Sequence, residues 1–79
     1  MAQQTIIAKN NIDARLAALF VQAASKFSST IKINKSNKEA NAKSIMGLIS
    51  MAVLVGDEVT ISTQGTDEAQ ALAEIAELL

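Results

Sequence analysis

Apolar residues recur along the chain at two intervals, and each interval predicts an element. Thr5-Ile6-Ile7-Ala8 is short and β-branched, a first strand that Asn10-Asn11 ends. From Ala14 to Phe27 the apolar positions Leu16, Ala17, Phe20, Val21, Ala23, Ala24 and Phe27 are three and four apart. That spacing is helical, with Arg15, Gln22, Ser25 and Lys26 off the stripe. Ile31 and Ile33 alternate with Thr30, Lys32 and Asn34, a half-buried strand. Ser36-Asn37 marks a turn, and Lys38 to Ala42 returns as a short strand. Ser44 to about Met51 is a short helix, and Gly56-Asp57 the next turn. Val59, Ile61 and Thr63 alternate with Glu58, Thr60 and Ser62, a fourth strand. Asp67 then caps a last helix, with Gln70 placed as in a capping box and Leu72, Ile75, Ala76 and Leu79 as its buried face.

The predicted order is β-α-β-β-α-β-α. Amphipathic helices among alternating strands imply an α+β fold, one four-stranded antiparallel sheet with helices on one face. No repeat or linker divides residues 1–79, so a single domain is expected.

Composition narrows the chemistry. Hydrophobic residues are 49% of the 79 and aromatics 3%, so the core is aliphatic and rich in alanine. Such side chains bury little area each, and modest stability is expected. Net charge is −1 and the seven basic residues are dispersed, which gives no footprint for direct nucleic-acid binding. Cysteine and histidine are both absent. Disulfides, thiolate chemistry and nitrogen- or sulfur-bound metals are therefore not expected, and no cofactor is implied. The longest apolar run, Ile45 to Val55, is broken by Gly47 and Ser50 and falls short of the roughly 20 residues a membrane span needs. Met1 to Gln4 has neither the basic nor the apolar part of a leader, so an intracellular, cytoplasmic protein is expected.

The candidate chemistry sits in Asn41-Ala-Lys-Ser-Ile-Met-Gly-Leu-Ile-Ser50. Ser44 stands where the short helix begins. Its hydroxyl can close the first helical turn, or it can be a phosphorylation site. A phosphate there adds about −1.5 to −2 charges beside the positive end of the helix. Lys43, next to it, could screen the group or help to dock it. Leu48 and Met51 share an inward face, which leaves Ile45, Met46 and Ile49 as a neighbouring strip. That strip is either a larger core or an exposed contact surface.

This run resembles the regulatory-serine segment of the HPr family, the small phosphocarriers of the bacterial sugar phosphotransferase system, and of their histidine-free relatives, the Crh proteins. The resemblance implies an HPr-like open-faced β-sandwich. It implies that HPr kinase/phosphorylase phosphorylates Ser44 and that the phosphoserine form binds catabolite control protein A, a LacI-type repressor. Ile45, Met46 and Ile49 then belong to the docking face, with Lys43 beside it and Arg15 as a further partner contact. DNA and membrane are not touched by this chain itself.

A second motif carries the resemblance and departs from it. Carriers read Gly-Ile/Leu-His-Ala-Arg-Pro-Ala, whereas Asn11 to Ala17 read Asn-Ile-Asp-Ala-Arg-Leu-Ala. Asp13 replaces the carrier histidine, Leu16 the proline and Asn11 the glycine. Crh proteins usually carry glutamine at that position and keep the proline. A carrier needs a nucleophilic imidazole nitrogen, which this chain lacks. Asp13 is by residue type a good helix cap, and Arg15 could pair with it. Two alternatives stay open. Asp13 could accept phosphate as an acyl phosphate with Arg15 steadying it, or its fixed charge could hold enzyme I or a sugar permease domain unproductively.

Overall fold

A computed structural model describes residues 1–79. Its elements, in chain order, are β1 (Ala2–Ile7), α1 (Ala14–Ser25), β2 (Thr30–Lys35), β3 (Lys38–Asn41), α2 (Ile45–Met51), β4 (Glu58–Gln64) and α3 (Glu68–Leu78). The strands form one antiparallel sheet in the order β1-β4-β2-β3.

Register explains how one face becomes the core. Ile33 lies opposite Ile61 on β4 and Ala40 on β3, and Ile31 lies opposite Thr63. Facing residues share a side of the sheet, so the alternating apolar positions of three strands meet on one surface. The helices cover that surface. Phe20, Ala17 and Ala24 of α1, Leu48 and Met51 of α2, and Ala71 and Ile75 of α3 are buried with Ile31, Ile33, Val59 and Ile61 in one cluster. The other face keeps Thr30, Lys32 and Glu39 in water, as an antiparallel sheet allows.

Some element limits and one helix face differ from the sequence pattern. β1 begins at Ala2 rather than Thr5, because pairing from Ala2↔Thr63 to Ile7↔Glu58 holds Gln3 and Gln4 extended. Cross-strand pairing outweighs their weak strand preference. α1 ends at Ser25 rather than Phe27. The Lys26 N–H donates to both Ala23 and Ala24 carbonyls and the Phe27 N–H to Ala24, so the last turn tightens and closes. The buried face of α3 is Ala71, Ile75 and Leu79, four apart, while Leu72 and Ala76 sit half-buried at its margin.

Asp67 is a correction of a different kind. It stands at the N-cap of α3 but makes no side-chain bond to its own helix, and no box with Gln70 forms. Its carboxylate instead accepts from the Ser28 N–H at 2.9 Å, the Ser29 N–H at 3.0 Å and the Ser29 hydroxyl. Asp67 thus ties the α1–β2 connection to the start of α3. The Ser29 hydroxyl first, and then the Ser28 N–H, hold its carboxyl below the ordinary aspartate value of 3.8. Because the folded value is lowered, the tie contributes fully above the ordinary value. It shrinks as pH falls below that and is lost beneath the folded value. Urea midpoints of wild type and Asp67→Asn are therefore expected to differ at neutral pH and to converge on acidification below about pH 4. A difference that persists at low pH would show that the tie does not depend on the carboxylate charge.

Candidate functional site

Ser44 is the N-cap of α2. Its backbone is extended (φ −118°, ψ 111°), and its Oγ accepts the Gly47 N–H at 3.2 Å. The Ser44 N–H donates back to the Asn41 carbonyl at 2.9 Å, which fixes the turn from β3 into the helix. Gly47 suits this cap because a Cβ there would stand 3.2 Å from the serine Oγ. The hydroxyl is at the surface, so capping and modification are compatible. Loss of the cap alone has a modest effect: Ser44→Ala is expected to lower stability by about 1 kcal/mol, measured by urea unfolding, with Ser44→Asp close to wild type.

α2 has only seven residues, too few to persist without tertiary contacts. Leu48 and Met51 supply those contacts and are buried. The remaining apolar side chains face water: Met46 is 73% exposed, Ile45 41% and Ile49 37%. They form a strip that starts at the serine.

Lys43 is placed otherwise than its position suggests. Its backbone N–H is held by Asn41 Oδ1 at 2.8 Å, and its ammonium donates to the Phe27 carbonyl at 3.0 Å. The cation therefore serves the C-terminal end of α1, where positive charge is favoured. In the unmodified protein Ser44 has no cation over it.

Asp13 is the N-cap of α1, with Oδ1 accepting the Leu16 N–H at 2.9 Å. Arg15 is exposed and makes neither an ion pair nor a hydrogen bond, so the pairing with Asp13 is not formed. Both line a shallow hollow with Asn10, Asn11, Leu16 and Leu19. No group of three potential metal ligands comes together anywhere in the chain.

The two regions are joined through the segment after α2. The Ile12 N–H donates to the Val53 carbonyl at 2.9 Å, and the Val55 N–H to Asn11 Oδ1 at 2.7 Å. Residues 53–55 therefore run beside residues 11–12, next to Asp13. Leu54 and Val55 project into water, 57% and 61% exposed. Sequence spacing does not single them out, because they follow a helix and precede a turn. The available signal was an apolar run that outlasts the helix by four residues.

The Lys35 ammonium supports this segment. It donates to the Ala52 carbonyl and meets Asp57 Oδ2, both at 2.8 Å. Ala52 lies in the left-handed region (φ 52°), where a non-glycine residue is under strain, and the lysine pins it there. The Lys35 side chain first, and then the Leu54 N–H at 2.8 Å, lower the Asp57 carboxyl below its ordinary value.

An antiparallel sheet with three helices on one face, a capping serine beside an exposed apolar strip and a second capped helix start beside Arg15 define a small α+β protein with apolar side chains exposed at its helical layer. The family model described as the PTS HPr component phosphorylation site matches residues 2–79, and the chain belongs to the HPr family. It is 53% identical over 68 residues to the HPr-like protein Crh of Bacillus subtilis, covering 86% of this chain and 80% of that one. Among solved structures, HPr-C-His from Thermoanaerobacter tengcongensis superposes with a TM-score of 0.92 at 50% identity, over 99% of this chain and 90% of that one. Crh from Bacillus subtilis, in a crystal structure described as a dimer with a swapped domain, gives 0.80 at 49% identity, over 99% of this chain and 92% of that one. The α+β architecture inferred from the pattern is that of these neighbours. No helix of the chain is long and apolar enough to cross a membrane.

Proposed function

We propose that this chain is a cytoplasmic regulatory phosphoprotein of the sugar phosphotransferase system rather than a phosphocarrier or an enzyme. HPr kinase/phosphorylase esterifies Ser44. The modified protein then binds the LacI-type repressor catabolite control protein A as corepressor. The observation that carries this reading is a surface serine at the start of a short helix, followed at once by Ile45, Met46 and Ile49 in water. A phosphate on that oxygen is a dianion that arginine forks bind strongly. The strip beside it supplies apolar area for a groove. Together they make one composite epitope that exists only after modification.

The carrier alternative has less support. The chain contains no histidine, and the Asp13 carboxylate already caps α1. An aspartate also repels the phosphoryl oxygens it would have to attack. Incubation with HPr kinase and ATP is expected to add the mass of one phosphate to wild type and none to Ser44→Ala. An unmodified wild type would overturn the reading.

A further inference from the structure

We infer that Met46 is a reversible oxidation site: hydrogen peroxide converts its thioether to the sulfoxide, and the oxidised side chain weakens the hold of the phosphorylated protein on its partner. The weakening rests on the reading above and deepens it, whereas the oxidation stands without that reading.

The two methionines of α2 have opposite surroundings. Met46, near the start of the helix, is 73% exposed and stands outside the buried cluster. Met51, at its end, is 2% exposed within that cluster. Oxidation follows access to the sulfur lone pair, so one helix offers one thioether and shields the other. Cysteine is absent, and no thiol of the chain competes for the oxidant. Met1 is exposed too, but it precedes β1 at one edge of the sheet, whereas α2 follows β3 at the other. Met46 is therefore the accessible sulfur beside Ser44.

The step is a two-electron oxygen transfer. A sulfur lone pair attacks one peroxide oxygen, the O–O bond breaks and an S–O bond forms. The departing hydroxide takes the proton left on the transferred oxygen and leaves as water. Sulfur is oxidised and peroxide reduced. A flexible apolar side chain thereby becomes a polar one with a strong acceptor oxygen. The core is undisturbed, because Met46 is not part of it. The Ser44 cap also survives, since its bond runs to the Gly47 N–H and not to the methionine. At a contact the outcome differs. The sulfoxide oxygen lies beside Ile45 and Ile49, and an apolar groove desolvates it without offering a donor. Phosphate on Ser44 and oxygen on Met46 thus act in opposite senses on one helix. A sulfoxide reductase reverses the second: two of its thiols become a disulfide and the oxygen leaves as water.

The test uses the full chain, phosphorylated on Ser44 by HPr kinase and treated briefly with hydrogen peroxide. Peptide mass mapping is expected to show the Met46 sulfoxide forming at least about tenfold faster than that of Met51. Titration into the LacI-type repressor by calorimetry is expected to show binding at least about fivefold weaker after oxidation. Methionine sulfoxide reductases for both sulfur epimers are expected to restore it. Met46→Leu is compared only with itself: from whatever affinity it starts, peroxide is expected to change that value by less than about twofold. Equal rates at Met46 and Met51 would overturn the site. Unchanged affinity of wild type oxidised at Met46 would overturn the weakening while the phosphoserine reading stands. A loss of equal size in peroxide-treated Met46→Leu would overturn it too, by placing the effect at another residue. No binding by untreated phosphorylated wild type would overturn the reading above and the weakening with it, and the mass map alone would then decide whether Met46 is the oxidation site.

Discussion

Phosphorylation of Ser44 is expected to raise affinity for the repressor by roughly 30- to 1,000-fold without changing the fold. The magnitude follows from two or so new charge-assisted hydrogen bonds, about 2–4 kcal/mol after desolvation. The fold should tolerate the group because the serine Oγ is at the surface and its one structural duty is to accept the Gly47 N–H. Phosphate oxygens accept as well as a hydroxyl does and suit the start of a helix. Lys43 does not cancel the new charge at once, since its ammonium is bonded to the Phe27 carbonyl. Titration of modified and unmodified protein into the repressor at one salt concentration measures the ratio. Adding salt is expected to shrink it. A ratio near one would mean that the apolar strip alone sets affinity.

Leu48→Ala is expected to remove about 2–5 kcal/mol of stability. For a domain of this size the total is about 5–10 kcal/mol, so the variant stands near the threshold of folding. The cost is large because Leu48 is fully buried between α2 and the sheet, with Met51 as its only buried neighbour on that helix. A seven-residue helix has no stability of its own to fall back on. Loss of the leucine therefore also loosens the Ser44 cap and the strip on the opposite face. Urea unfolding gives the first effect. The second is expected as slower phosphorylation by HPr kinase at concentrations where the variant is still folded. Met46→Ala, on the exposed side, is expected to be nearly neutral in stability and to weaken repressor binding, which separates the two faces of one helix.

The parts of this molecule visible in its sequence are those set by neighbours in the chain. Ser44 and Asp13 are caps by residue type, and both make the cap bond. The alternation Ile31-Ile33 and Val59-Ile61 fixes a face, because the period of a strand needs no partner to be recognised. What sequence spacing did not show depends on residues far away. Gln3 and Gln4 are extended only because β4 lies beside them. Asp67 has the residue type of a cap, yet Ser28 and Ser29 compete for its carboxylate from 39 and 38 residues away and win. Lys43 adjoins Ser44 but reaches the end of α1. The backbone of Leu54 and Val55 is held by bonds from their N–H groups to Asp57 and Asn11, with Lys35 on the Ala52 carbonyl just before them, and only the assembled fold brings these together.

Asp13 and Ser44 offer two places for a phosphoryl group, and the bonds formed differ in chemistry. A serine ester survives hydroxylamine, whereas an acyl phosphate on a carboxylate is cleaved by it. The most direct measurement is to offer the protein labelled phosphate from two sources, ATP with HPr kinase and phosphoenolpyruvate with enzyme I. The site and hydroxylamine sensitivity of the label are then determined. A regulatory protein is expected to take label only from the kinase, on Ser44, in a hydroxylamine-resistant form. Label passed from enzyme I to Asp13 and released by hydroxylamine would contradict that and make the chain a carrier.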